Sequence, residues 1–235
     1  MASLKAGGKL ASKGNVDGVA RWIEQRVKQH GSLDVGAVNG SGDTMLHLAA
    51  RHGHARVLEL LLAQGPSKDE VNARNTVGHT PLHEAALCSD STCVQLLLAA
   101  GADVHIAKHA DWTALHLAAT KPNANAVQQL LAAGADATRL NKDVGSENFK
   151  TTEADALHIL DLLTAKCPQG LNQPDHHGLT PLHLAAMHGH AEHVSHLIAV
   201  GADATKADIK GRTPLDLARA RRKDNTAAVL EACSS

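Results

Sequence analysis

A string of four residues recurs along this chain, and its spacing restricts the fold more than any other feature. Thr80-Pro81-Leu82-His83 returns as Thr180-Pro181-Leu182-His183, with close variants Thr44-Met45-Leu46-His47, Thr113-Ala114-Leu115-His116 and Thr213-Pro214-Leu215-Asp216. Successive threonines lie 36, 33, 67 and 33 residues apart, so the long interval holds two units and one of them is degenerate. A second string trails each unit: Leu96-Leu97-Leu98-Ala99-Ala100-Gly101-Ala102-Asp103, Leu130-Leu131-Ala132-Ala133-Gly134-Ala135-Asp136, and Gly201-Ala202-Asp203. Units of this length cannot bury their apolar faces alone and must stack on one another.

Each position of the string has a physical reason. Thr80 suits an N-cap, its hydroxyl accepting from a first-turn amide. Pro81 follows at N1, where a missing N–H costs nothing. Leu82 points into the stack, and His83 can bond a hydroxyl or backbone group and tie one unit to the next. Ala85-Ala86 leave no bulk, so neighbouring first helices approach closely. Second helices carry apolar residues at helical spacing, as in Val57, Leu58, Leu60, Leu61 and Leu62. The core must be aliphatic, because the aromatics are Trp22, Trp112 and Phe149 alone.

These motifs resemble the ankyrin repeat family over nearly the whole chain. The resemblance implies an all-α solenoid of stacked helix-turn-helix units joined by hairpin-like turns. Read this way, the chain is one domain, 1–235, of about seven units. An N-terminal cap spans 3–38, its second helix carrying Val16, Val19, Trp22, Ile23 and Val27. Repeats follow at 39–74, 75–107, 108–140, 141–174 and 175–207, and a C-terminal cap at 208–235 closes the stack. Pro66-Ser67-Lys68-Asp69-Glu70 reads as a lengthened surface loop. The degenerate unit, around Ser146 to Leu163, lacks both the Pro and the His and is expected to stack in distorted form.

Several function classes are excluded or weakened. The formal net charge is -1, which gives no overall drive toward nucleic acid or acidic membrane. Scarce aromatics leave no base-stacking platform, and no apolar run is long enough for a transmembrane helix. The start has no apolar core of a secretory signal, although Lys5, Lys9 and Lys13 precede the first acid and faintly resemble a transit peptide. Cys88, Cys93, Cys167 and Cys233 form no disulfide framework, so a reducing compartment is expected: the cytoplasm, with the nucleus also open. No GxSxG, HExxH or kinase set appears, so no enzyme and no cofactor is expected. Gly40-Ser41-Gly42 is a repeat turn, without the Lys-Ser/Thr of a phosphate loop.

Histidine is abundant, 17 in all. Most belong to the repeat string; His188, His193 and His196 are the candidates for a metal site, although steps of three drift around a helix. Cys93 falls at an apolar position of a second helix and reads as a buried thiol. The resemblance also implies hydroxylation in the loops, with His105 and Asn72 as candidates.

Side chains at turn tips and inner-helix ends have no packing duty in such a stack, so a partner segment is expected there. By register they include Asp43 and Arg51, and, as the chosen binding set, Val77, His79, Leu87, Trp112, Lys121, His177, Leu179, Met187, His188, Arg212 and Arg219. Trp112 follows Asp111, where the family usually has Gly, and reads either as an interface anchor or as a ring folded back to cover a neighbouring turn. The expected function is a monomeric, non-catalytic module that binds another protein in a groove with an apolar middle and a positive C-terminal end. Two other readings stand beside it: an assembly chaperone or rigid scaffold for an enzyme complex, and a histidine-dependent metal sensor.

Overall fold

The computed structural model describes residues 2–30, 39–121, 123–136, 168–175 and 177–233. The degenerate repeat expected around Ser146 to Leu163 lies outside them, as do His176 and Cys167. The chain divides into two compact units, whose described parts run from residue 2 to 136 and from 168 to 233.

The first unit opens with α1 (Ala2–Ser12) and α2 (Val16–His30). Three helical hairpins follow: α3 (Met45–Arg51) with α4 (Ala55–Leu62), α6 (Pro81–Ala86) with α7 (Thr92–Ala99), and α8 (Ala114–Ala119) with α9 (Ala124–Ala132). The second unit holds α10 (Pro181–His188) with α11 (Ala191–Ala199), and α12 (Pro214–Ala220) with α13 (Asp224–Ala232). Among the described residues everything regular is helical, apart from one isolated antiparallel bridge between Ala107 and Thr113. The segment expected to be a loop after Gly65 contains a short helix, α5 (Lys68–Val71). Ser67 and Glu70 cap it reciprocally, a Ser-x-x-Glu signal that the repeat register concealed.

Among the described residues, the inner helices α3, α6, α8, α10 and α12 each begin on a threonine cap. Thr80 Oγ1 accepts from His83 N at 3.4 Å, and Thr80 N donates to His83 Nδ1 at 3.2 Å. The imidazole thus stands where Glu or Gln stands in the usual capping box. Because Nδ1 accepts, Nε2 carries the proton of the neutral ring. It donates to the Trp112 carbonyl of the next repeat at 3.3 Å. His47 reaches the His79 carbonyl at 2.9 Å, and His183 reaches that of Arg212 at 3.1 Å. Asp216 keeps only the local half, accepting from Thr213 N and Thr213 Oγ1.

Below these clasps the core is aliphatic. Ala49, Ala50, Ala85, Ala86 and Ala118 are completely buried, which lets inner helices approach closely. Val57, Leu58, Leu61, Cys93, Val94, Leu97, Val127 and Leu130 fill the layer between outer helices. Each such Leu or Val contributes roughly 2 kcal/mol on leaving water. Burial pushes the Cys93 thiol up to about 12. In the second unit Leu182, Ala186, Val194, Leu197, Ala218 and Leu230 form the corresponding core. At the amino end Trp22 lies against Gly7, where an added Cβ would stand 2.7 Å from the ring. Val16 and Val27, expected to share that core, are 36% and 38% exposed because they sit at the ends of α2.

Outer loops are fastened by asparagines. Asn72 Oδ1 accepts from Asp103 N at 2.8 Å, and Asn172 Oδ1 accepts from Asp203 N at the same distance. Asn72, a modification candidate by sequence, therefore has a structural task. His105 is exposed one turn further on, its amide bonded to Asp103.

Burial pushes the His83 imidazole down to about 4, and lowers that of His47. A base whose folded value lies below its unfolded value destabilises the fold on acidification. The loss begins near pH 6.5 and is complete for this group near pH 4, at up to about 3 kcal/mol. Urea denaturation of wild type and His83→Gln at pH 7 and pH 4 should show the smaller pH-dependent loss in the variant. Equal losses would mean that the buried neutral ring is not the cause.

Candidate functional site

The turns between units are built around a leading Asn or Asp. Asn75 Oδ1 accepts from Val77 N at 3.2 Å and His79 N at 2.9 Å. Asp175 does the same for His177 and Leu179, and Asp208 for Lys210 and Arg212. These bonds hold the tip backbone and leave tip side chains unburied. Adjacent tips also bond to each other, Thr76 N to the Ser41 carbonyl at 2.9 Å and Ile209 N to the His177 carbonyl at 3.2 Å. At Gly178, φ is +77° and a Cβ would meet Ile209 N at 2.7 Å, so the close approach of these two turns needs glycine.

The turn from Lys108 departs from this plan. It carries a 3₁₀ turn, His109–Asp111, and Asp111 takes φ 63°, where other repeats place glycine. Trp112 is half-buried, with Lys108 Nζ 5.6 Å from its ring centre and the His116 ring 6.0 Å away. The ring thus lies against residues of its own repeat.

The remaining expected residues separate into three groups. Val77 is 53% exposed, and Lys121, His177, His188 and Arg219 are exposed. Leu87, Met187 and Arg212 are half-buried; Arg212 pairs with Asp208 at 2.6 Å and Arg219 with Glu231 at 2.7 Å. Leu179 is a correction: it is only 8% exposed, because the Asp175 turn folds it inward. His79 is another, since its side chain is 14% exposed and its Nδ1 lies 3.0 Å from Glu84 Oε1.

Asp43 and Arg51, expected as unencumbered surface residues, belong instead to an internal charge network. The Arg51 guanidinium donates to both Asp43 oxygens at 2.8 Å, and to Glu84 at 3.0 and 2.8 Å. Asn39 and Asn75 donate to Asp43 at 2.9 and 2.8 Å. Burial alone would raise the Asp43 and Glu84 carboxyls. The hydrogen bonds outweigh it, holding Asp43 well below the usual carboxylate range and Glu84 at about 2. Bonds from Glu84 and then Asp43 raise Arg51 in return. The sequence signal was a register mismatch. Glu84 stands where other inner helices have Leu48, Leu117, Leu184 and Leu217, one repeat after Arg51. With these bonds made, the cluster clamps two repeats together.

The histidines of the second unit pair locally, His188 with His190 at 6.1 Å and His190 with His193 at 5.2 Å between ring centres. Among the described residues no three His, Cys, Asp or Glu side chains come together in a way that could hold a metal ion. The candidate set His188, His193 and His196 is therefore not assembled. No described helix is long and apolar enough to cross a membrane.

Replacing Arg51 with Met leaves two buried carboxylates uncompensated. The expected loss is about 3 kcal/mol at pH 7, the low end for a buried pair because Arg51 keeps 36% exposure. A carboxyl with a lowered folded value stabilises above its unfolded value and loses that contribution as pH falls. The gap between wild type and Arg51→Met should thus narrow as pH drops from roughly 4.5 toward 2. Urea denaturation across that window measures it, and a constant gap would disprove the charge mechanism.

Comparison with known proteins agrees with this geometry. The family described as ankyrin repeats (3 copies) matches residues 9–108, 67–141 and 149–233. The ankyrin repeat domain of Bcl-3, described as a unique member of the IkappaB protein family, superposes with TM-score 0.73 and 27% identity, covering 96% of this chain and 97% of that one. A chain of the Bdellovibrio bacteriovorus predatory endopeptidase Bd0816 in complex with immunity protein Bd3460 gives TM-score 0.69 and 25% identity, covering 80% and 96%. Among curated proteins, Probable E3 ubiquitin-protein ligase XBOS32 of Oryza sativa subsp. japonica is 33% identical over 183 residues, which are 76% of this chain and 35% of the ligase. The chain thus spans about a third of that relative's length. On the matched residues and the repeated threonine-capped hairpins, this chain belongs to the ankyrin repeat family.

Proposed function

We propose that the protein is a non-catalytic module that binds a segment of a partner protein on its turn tips and inner-helix ends. Ankyrin repeats are generally protein–protein interaction modules, and the solved neighbour from Bdellovibrio is a complex with an immunity protein. The observation that carries the reading is the division of labour within each turn. The leading Asn or Asp takes up the tip amides, while large apolar side chains stay outside, Val77 at 53% and Ile209 at 69% exposure. An aliphatic side chain held in water by a rigid turn gains free energy when a partner covers it, without a prior ordering cost.

In the same unit Leu87 and Trp112 are half-buried and Lys121 is exposed. Trp112, braced by Lys108 and His116, is already ordered before any partner arrives. The metal-sensor alternative lacks a ligand set among the described residues. Within the family, Gly42-Asp43-Thr44 and Ala110-Asp111-Trp112-Thr113 are similar to stretches of ankyrin repeat domain-containing protein sixteen. No partner is carried over from that protein, nor ligase activity from the rice relative.

The test is quantitative capture on the immobilised chain, followed by titration of the captured protein. Val77→Asp and Trp112→Ala should each weaken binding by about tenfold, the range of an interface anchor. Retained melting temperature would show that the fold is intact. Undiminished affinity in both variants would remove the proposal.

A further inference from the structure

Lys5, Lys9 and Lys13 follow one another at steps of four, so each turns only about 40° from the last and the three form one row along α1 and the turn that ends it. All three are exposed. α1 contains no acid, and among the described residues none of the three lysines is paired with a carboxylate. The other side of the helix is buried at Gly7, Gly8 and Ala11, and Gly7 faces the Trp22 ring of α2 and Met45 Sδ of α3. The next acid in sequence is Asp17, exposed in the first turn of α2.

Such a row is not what the helix itself prefers. Lys9 suits the last turn, but Lys5 stands in the first, where the helix dipole favours an acid. Like charges four residues apart also repel. Exposed helix faces elsewhere mix their signs. α2 sets Asp17, Arg21, Glu24 and Lys28 along one exposed face in alternation, and in the last hairpin Arg219 pairs with Glu231 at 2.7 Å. A surface needed only for solubility is served by such mixtures. Over residues 2–30 the acids are Asp17 and Glu24, against Lys5, Lys9, Lys13, Arg21, Arg26 and Lys28, in a chain whose net charge is only -1.

We infer that the lysine row of α1 docks an acidic α-helix of a partner protein, with carboxylates four residues apart. Carboxylates so placed recur about every 6 Å along one helix face, which is also the spacing of the lysines. Ala6, exposed beside Lys5 and Lys9, has no bulk, so a partner helix can approach closely. Nucleic acid and membrane carry the same negative charge but fit less well. Trp22 is buried, so α1 and α2 offer a base no flat ring. Leu10 is half-buried toward Gly18 of α2, so it is not free to enter lipid, and the row holds fewer cations than the roughly four to eight of a lipid-binding cluster. This surface goes beyond the turn-tip reading, because it shares no residue with Val77 and Trp112.

Fluorescence anisotropy on the intact chain tests this directly. The probes are a labelled helical peptide of Glu-Ala-Ala-Ala repeats, the same peptide broken by a central proline, and an oligothymidylate of equal charge. Co-sedimentation with phosphatidylserine vesicles tests the membrane. The helical peptide should bind at low salt and weaken as salt is added. The triple variant Lys5→Gln/Lys9→Gln/Lys13→Gln should weaken it about tenfold, as expected for three exposed charges, with a melting temperature within about 2 °C of wild type. The proline peptide should bind about threefold more weakly, and Val77→Asp should leave peptide binding unchanged. Undiminished binding in the triple variant, a larger fall in its melting temperature, equal binding of the proline peptide, or a loss in Val77→Asp would each overturn the inference. So would oligothymidylate binding as tightly as the peptide, or pelleting with the vesicles. A chain whose partner capture responds to Val77→Asp while peptide binding ignores the lysines keeps the general function and loses this one; the converse result keeps this one alone.

Discussion

The imidazoles of His47, His83 and His183 each have two ring nitrogens, and both are engaged by backbone. Nδ1 accepts from the threonine amide of its own helix, and Nε2 donates to a carbonyl at the end of the following turn. This divided task makes the repeat period matter. The ring must meet a carbonyl 29 residues later in the Thr80 and Thr180 repeats, and 32 later in the Thr44 repeat, whose extra residues form α5. Turn position, helix start and unit spacing are therefore coupled through one neutral side chain. The same coupling makes the fold sensitive to acid, because a buried ring can gain a proton only by giving up its Nδ1 bond.

Charge is used in two opposite ways. In the first unit Asp43, Glu84 and Arg51 are drawn between repeats and bonded to one another, so they hold two repeats in position. In the second unit the carboxylates act within single repeats, closing turns and caps. Near-neutral overall composition conceals this asymmetry, since net charge averages what burial separates.

Glycine marks the turns and breaks where the chain bends through left-handed conformations, and the exceptions are informative. Asp111 precedes a braced tryptophan, and Arg222 is exposed at the break between α12 and α13. Both sites give up local backbone preference.

The repeated strings were sufficient to read off helix starts, the aliphatic inner faces and the Thr–His clasp, because those depend on contacts a few residues apart or at a fixed offset into the next repeat. Burial of Cys93 was legible for the same reason. Leu179, His79, Asp43 and Arg51 were misjudged as open surface. Register places all four at tip or helix-end positions, yet whether a side chain there turns in or out depends on the neighbour one repeat along. Glu84 draws in Arg51 and His79, and Asp175 folds Leu179 inward. Likewise the Ser67–Glu70 cap made a helix out of an insertion, and Trp112 found Lys108 beneath it. Periodic local chemistry fixes the scaffold from one dimension, whereas the identity of an exposed side chain's partner is a three-dimensional fact that no single repeat encodes.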